Sequence, residues 1–218
     1  MENKHIVARF DKDIEKIKGI ILTMGALVNS QIKDATDALM DFDTTEIEEL
    51  IATDRKINDM KERVHNRAER LIALRQPMAL DLRQAMLAVK ISGELERLGD
   101  HAKSTARRVP KLSENANVDD AMNLIREMST EVQSMLTDIL IAYRDGNVEL
   151  SEEVRDRDAK VDANYKAVFK IVVKALTENS KDAETLVHMI LLARHFERTG
   201  DHVVNMSRQV NHIVTGEY

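Results

Sequence analysis

The sequence predicts an all-α protein made of two tandem, pseudo-symmetric three-helix bundles, with six long antiparallel helices. Glycine and proline number only 7 and 2 among 218 residues, so signals for turns are few. Apolar residues (43%) and charged residues (32%) are mixed along the chain, as in long amphipathic helices. Two hexapeptides, ERLGDH at 96–101 and ERTGDH at 197–202, are near copies and lie 101 residues apart. This repeat indicates an internal duplication.

The first half contains three segments in which apolar residues recur at helical spacing. They predict helices over about residues 12–41, 45–76 and 80–109. Asp43 is expected to cap the second helix, because Glu46 follows it at the spacing of a capping box. Pro77 marks the end of that helix, since proline disfavours helical geometry in the preceding residue, and Pro110 ends the third. The first bundle is therefore predicted at residues 1–112.

The second half repeats this pattern after a polar stretch at 113–117. Its helices are predicted over about residues 118–144, 148–178 and 181–214. A turn at 145–147 and a break at 179–180 separate them. Loops this short make consecutive helices antiparallel neighbours, which predicts the second bundle at residues 118–218.

Composition argues against several functional classes. Cysteine is absent, which excludes thiolate metal sites, disulfides and cysteine nucleophiles. A formal charge of −6 and an aromatic content of 3% disfavour nucleic-acid binding. A local basic cluster is interpreted as compensation of a helix dipole, and it comprises Lys103, Arg107, Arg108 and Lys111. The N-terminus lacks a secretion signal and no stretch approaches the ~20 apolar residues of a membrane span, so a cytoplasmic location is expected.

Each hexapeptide carries Glu and Asp four residues apart, on one face of its helix. Residues equally far from an antiparallel turn lie at the same level, so these acids can be matched with acids on the preceding helix. In the first bundle the matched pairs are centred on residue 77, and the first acidic group is Asp54, Asn58, Glu96 and Asp100. In the second bundle they are centred on the 179–180 break, and the second acidic group is Asp158, Asp162, Glu197 and Asp201. Level pairing does not fix which way the side chains face.

Acids gathered at one level repel one another, and binding a cation relieves the repulsion. Oxygen ligands favour a hard divalent or trivalent metal ion, and Mg, Mn, Ca, Fe or Zn remain open. Gly99 and Gly200 lie in mid-helix and indicate close backbone approach, which helix crossing alone also explains. His101 and His202 follow the motifs directly, either supporting the acids or lying on a polar surface.

A redox bundle is the alternative from another functional class. Glu62 and His65 have the Glu-x-x-His spacing of ferritin-like di-iron sites, but that architecture needs two such motifs. Glu184 and His188 are one residue too far apart to supply the second. A metal-storage or oxidase bundle is thus disfavoured, and oxygen consumption with ferrous iron would test it. The sequence contains no glycine-rich phosphate loop and no Ser-His-Asp arrangement, so no catalytic residue is assigned and an enzyme is not expected.

Two segments, RQPMALDLR at 75–83 and LERLGD at 95–100, resemble the signature of the PhoU family. The resemblance extends over essentially the whole chain and includes the duplication. It implies two symmetry-related three-helix bundles whose Asp/Glu-x-x-x-Asp motifs bind metal ions, and by position these motifs are the two acidic groups. Asn58 departs from the acidic pattern and removes one charge, which weakens the case for metal in the first bundle.

The resemblance also implies a non-enzymatic regulator of phosphate uptake that represses the phosphate-starvation response. The implied partners are the ATPase subunit of a phosphate ABC transporter and a phosphate-sensing histidine kinase, with membrane contact only through partners. Homodimers are common in the family. Asp81 and Arg83 are candidate partner contacts, although an acid at this helix N-terminus also has a structural explanation. An accessory subunit of another phosphate permease is the runner-up.

Overall fold

A computed structural model describes residues 2–113, 118–178 and 181–215 of the chain. This part of the chain contains six α-helices, one short 3-10 helix at Val109–Lys111 and no strand. The α-helices are α1 (Glu2–Met40), α2 (Ile47–Arg75), α3 (Leu80–Ala106), α4 (Asp119–Asp145), α5 (Val148–Glu178) and α6 (Ala183–Thr215). The predicted all-α fold of two tandem three-helix bundles is confirmed. Within the described ranges, no helix is both long and apolar enough to cross a bilayer.

Each half packs as a bundle because every helix has an apolar stripe that must be buried. Helices α1, α2 and α3 contact one another, and α4, α5 and α6 do the same. The stripe of α1 is fully buried along its length, with Ile21, Met24 and Val28 at its centre. Burial of each such side chain contributes roughly 1.5–3 kcal/mol to stability.

The two bundles are joined by α1 against α4 and by α3 against α6. At the first contact the buried hydroxyls of Thr36 and Ser129 lie 2.6 Å apart. Nearby, Asn29 Nδ2 donates to the hydroxyl of Thr137 at 3.0 Å. One hydrophobic core runs through both bundles. The functional side chains described below therefore sit on a continuous scaffold.

Three helix ends differ from the sequence predictions. Helix α1 begins at Glu2, about ten residues earlier than expected. Asp43 is not the N-cap of α2: its carboxylate accepts the N–H of Thr45 at 2.8 Å, and the helix starts only at Ile47. Helix α3 ends earlier than predicted, because a separate 3-10 turn holds Pro110.

The predicted turn at 145–147 is confirmed, since Gly146 adopts a left-handed conformation and caps α4. Gln76 ends α2 in the same conformation, one residue before Pro77. The predicted break at 179–180 and most of the polar stretch at 113–117 lie outside the described residues. The boundaries of the two bundles in sequence stay a prediction.

Candidate functional site

Helix pairs α2/α3 and α5/α6 meet at the levels expected from antiparallel pairing. A Cβ added to Gly99 would lie 3.0 Å from Cδ1 of Ile57, and the two residues are centred on 78. A Cβ added to Gly200 would collide with Oδ1 of Asp158, and this pair is centred on 179. The glycines let the two helices of each pair approach closely.

A lysine occupies the first acidic group. Lys103 Nζ lies 2.7 Å from Asp54 Oδ2 and 2.6 Å from Asp100 Oδ1, so one ammonium bridges the acids of α2 and α3. Asn58 also donates to Asp54 Oδ2, at 3.4 Å. Burial lowers the pKa of Lys103, but the hydrogen bonds and charges of the two carboxylates outweigh it and raise the pKa overall. Lys103 lies in the last turn of α3, where a cation compensates the helix dipole. Because its ammonium also forms ion pairs with these two acids, the helix dipole alone does not explain the position of Lys103.

Glu96 completes the first acidic group and is mostly buried. Its Oε2 lies 3.5 Å from Lys61 Nζ and 3.7 Å from Arg97 Nε, beyond the range of a good hydrogen bond. Within the described residues, this oxygen and Oδ1 of Asp54 have no hydrogen-bond partner. The first group therefore keeps free carboxylate oxygens although a lysine already neutralises part of its charge.

In the described part of the chain, no lysine bridges the second acidic group. Burial, followed by the charges of Asp162, Asp201 and Glu197, raises the pKa of Asp158 to about 6. Burial also raises the pKa of Glu197, although Arg194 opposes this through a 2.5 Å ion pair. In the part of the chain that the structure describes, Oε2 of Glu197 has no hydrogen-bond partner. These acids are close enough to destabilise one another's ionised forms.

The contrast between the groups arises at two positions. The counterpart of Lys103, 101 residues on, is the buried Val204, and Asp162 stands where the first group has Asn58. Both groups keep buried carboxylate oxygens without a hydrogen-bond partner. The second group has four carboxylates and, among the described residues, no lysine that bridges its two helices, which fits a hard metal ion. In the first group, Lys103 already bridges the two helices.

As placed, the His, Asp and Glu side chains of the described residues form no cluster of three or more that could hold a metal ion. Ligation would therefore require rotation of these carboxylates. The metal sites at all eight predicted positions stay a prediction.

The duplicated motif has a second face that the sequence analysis missed. His101 and His202 meet where α3 crosses α6, with ring centroids 5.3 Å apart, and neither lies on an open polar surface. The ring of His195 lies 5.8 Å from that of His101, and His101 Nδ1 is 3.3 Å from the hydroxyl of Thr199. Burial, then the charges of His202, His195 and Arg198, lowers the pKa of His101 to about 4. The one signal in the sequence was that each histidine follows its acid by one residue, about 100° around the helix.

Arg108 also belongs to this crossing. Its Nε donates to His195 Nε2 at 3.2 Å, and its NH1 lies 3.1 Å from His188 Nδ1. Burial, followed by the charge of Arg108, lowers the pKa of His195 to about 4.

The partner candidates Asp81 and Arg83 are both exposed at the start of α3, and Met78, just before this helix, is 81% exposed. Nothing else about them distinguishes a partner contact, so that assignment stays a prediction.

Comparison with protein-family models identifies the PhoU domain twice in this chain, at residues 21–109 and 125–210. A phosphate-specific transport system accessory protein PhoU homolog from Caulobacter vibrioides is 32% identical over 98% of this chain and 93% of its own length. A protein with the same name from Clostridium acetobutylicum is 34% identical over 95% of both chains.

Solved structures give the same result. The crystal structure of PhoU from Pseudomonas aeruginosa matches with a TM-score of 0.90 and 31% identity, over 95% of this chain and all of the other. The phosphate transport system regulatory protein PhoU from Streptococcus pneumoniae matches with a TM-score of 0.90 and 26% identity, over 95% of this chain and 98% of the other. The resemblance noted in the sequence is thereby confirmed.

Proposed function

This chain belongs to the PhoU family. We propose that it is a non-enzymatic, cytoplasmic accessory protein of a phosphate-specific transport system and that it regulates phosphate uptake. One observation carries the proposal: similarity to proteins named as accessory proteins of that system extends over almost the entire chain and both bundles. The name of the Streptococcus pneumoniae protein, a phosphate transport system regulatory protein, supports the regulatory part of the proposal.

The finer proposal is an adaptor between the ATPase subunit of a phosphate ABC transporter and a phosphate-sensing histidine kinase. In this role the chain represses the starvation response when phosphate is plentiful. The exposed start of α3, with Asp81 and Arg83, is the candidate contact. Homodimer formation belongs to the same proposal.

Deleting the gene and measuring a phosphate-repressed phosphatase tests the regulatory role. The deletion strain should express the phosphatase at high phosphate, and the wild-type gene supplied in trans should restore repression. Unchanged repression in the deletion strain would contradict the role. Co-purification separates the adaptor from the runner-up, because recovery of another phosphate permease instead of the ABC transporter would favour an accessory subunit of that permease.

A metal ion at the second acidic group is part of the proposal. Asp158, Asp162, Glu197 and Asp201 would hold it, and the ion would cancel the charge repulsion between α5 and α6. Elemental analysis of gently purified protein tests this with Asp158→Asn plus Asp201→Asn. The double variant should lose metal, whereas Asp54→Asn plus Asp100→Asn should lose much less because Lys103 serves that group. Equal metal content in wild type and the Asp158/Asp201 variant would rule out the second site.

A further inference from the structure

A cleft of about 570 Å³ lies where the two bundles meet at α3 and α6. Three arginines line it: Arg97 from the first bundle, and Arg198 and Arg208 from the second. Arg97 and Arg198 are equivalent residues of the two motif copies, 101 positions apart. The duplication therefore brings the arginine of each motif copy into one shared cleft.

These arginines are weakly neutralised by the protein. Arg97 is 61% exposed, and its nearest carboxylate oxygens lie 3.7 and 4.0 Å away. Arg208 NH1 donates to the neutral side chain of Asn205 at 3.2 Å. Arg198 and Arg208 are exposed, and their charges reach the nearby carboxylates of Glu197 and Asp158. Exposed guanidinium groups are available for an oxyanion, which they bind through paired N–H donors.

The cleft also contains acids, and these narrow the choice of anion. Asp158 and Asp201 line it together with the arginines. A carboxylate repels a fully deprotonated oxyanion such as sulfate, but it accepts a hydrogen bond from the remaining P–OH of a phosphate dianion. His101, His202 and Asn205 also line the cleft. Arginines and carboxylates together thus suit a ligand that accepts several hydrogen bonds and donates one.

We propose that this cleft binds inorganic phosphate, as the hydrogenphosphate dianion, through Arg97, Arg198 and Arg208. The bound ligand connects the two bundles, because the arginines that bind it come from α3 of the first bundle and α6 of the second. Binding of this kind gives the chain a direct way to sense phosphate. The role of phosphate binding in regulation rests on the proposed function, whereas the existence of the binding site does not.

Calorimetric titration of the full chain with inorganic phosphate tests the site, in EDTA and again with Mn²⁺. Arg97→Gln plus Arg198→Gln should weaken binding at least about tenfold, since two charge-assisted contacts are lost. The matched control is Arg55→Gln plus Lys56→Gln, which removes the same charge from exposed positions on α2 outside the cleft. It should bind phosphate like the wild type. Saturable, arginine-dependent binding in either buffer supports the proposal.

Three results would overturn the proposal: no saturable binding in either buffer, equal loss in the α2 control, or sulfate binding as tightly as phosphate. Titration with phosphoserine checks the role of the P–OH group, because a phosphomonoester dianion lacks it and should bind more weakly than inorganic phosphate. Equal or tighter binding of phosphoserine would also contradict the proposal. Thermal unfolding of each variant checks that folding is intact, and Arg208→Gln provides a second, single-residue test of the same cleft.

Failure of the site and failure of the regulatory role are distinguishable. A chain that binds no phosphate but whose deletion derepresses the phosphatase has the proposed function without the proposed site. A chain that binds phosphate through its arginines but whose deletion changes nothing has the site without the regulatory role.

Discussion

Replacing Asp158 with asparagine should stabilise the chelator-treated protein at neutral pH. Folding places this carboxylate beside three other acids, and burial with their charges raises its pKa from 3.8 to about 6. Above that pH the folded protein must hold an ionised group that would ionise more easily in the unfolded chain. Asparagine keeps the shape of the side chain and removes the charge, so the repulsion between α5 and α6 decreases.

The magnitude follows from the pKa shift. A shift of one unit corresponds to about 1.4 kcal/mol, so a pKa of about 6 gives an upper bound of about 3 kcal/mol. Asp158 is only partly buried, and solvent screening reduces this to about 1–2 kcal/mol. For a chain of this size that gain raises the melting temperature by about 3–6 °C.

The sign of the pH dependence is fixed by the direction of the shift. Because the pKa of Asp158 is higher in the folded state, the wild type loses stability as pH rises from 3.8 to about 6. The asparagine variant lacks this loss. Its advantage should therefore be absent at pH 4, appear between these two values and be complete by pH 7.

Thermal unfolding in EDTA across this pH range is the assay, followed by the same series with Mn²⁺. Saturating metal should stabilise the wild type by about 2.7 kcal/mol at 100 times its Kd and should stabilise Asp158→Asn much less. Asp156→Asn is the matched control, because Asp156 is on the same helix and 81% exposed. If Asp158→Asn lowers the melting temperature in EDTA at pH 7, or if the control behaves identically, the argument from charge repulsion is wrong.

Lys103→Met should destabilise the protein by about 2–4 kcal/mol in urea unfolding, because it leaves Asp54, whose side chain is 9% exposed, without its cation. Gly200→Ala should instead weaken metal binding, measured by equilibrium dialysis, because the new Cβ displaces the carboxylate of Asp158. Its effect on the stability of the metal-free protein should stay within about 1 kcal/mol, since alanine favours the helix.

Both predictions have internal controls. Lys160→Met removes a lysine that is 61% exposed and bound to Glu131, so its cost should stay below about 1 kcal/mol. Gly19→Ala adds a Cβ with no atom within 4 Å, so it should stabilise α1 slightly and leave metal binding unchanged. Equal effects of Lys103→Met and Lys160→Met on the free energy of unfolding would mean that the buried ion pairs of Lys103 contribute no more than the exposed ion pair of Lys160. Unaltered metal binding in Gly200→Ala would mean that Asp158 is not a ligand.

The level of the acids was predictable from the sequence because antiparallel helices obey a simple register. Numbering alone placed the first pairs around Pro77, and contacts such as Gly99 with Ile57 confirm it. Fold class was predictable for a similar reason, since apolar periodicity depends only on the order of residues. The early start of α1 was missed because the periodic stripe becomes sparse before Phe10, the first buried residue that the structure describes.

Side-chain direction was not predictable, because it depends on packing between elements far apart in sequence. Lys103 looked like a helix-end charge, but its four-carbon stem reaches across to Asp54 on another helix. His101 was expected either to support the acids or to lie on a polar surface, and only the crossing of α3 with α6 brings its ring next to that of His202. The same crossing places Arg97 and Arg198 in one cleft. Asp43 failed as a cap because it closes a local turn instead.

The two copies of the motif share Glu, Arg, Gly, Asp and His, so its acidic face and its arginine and histidine face are both present twice. The histidines of the two copies meet at the crossing of α3 with α6, and both arginines line the cleft there. The two acidic groups differ outside the motif, where Lys103 corresponds to Val204 and Asn58 to Asp162. A single copy of this motif could form an acidic group but not the shared cleft, and this gives the duplication a physical role.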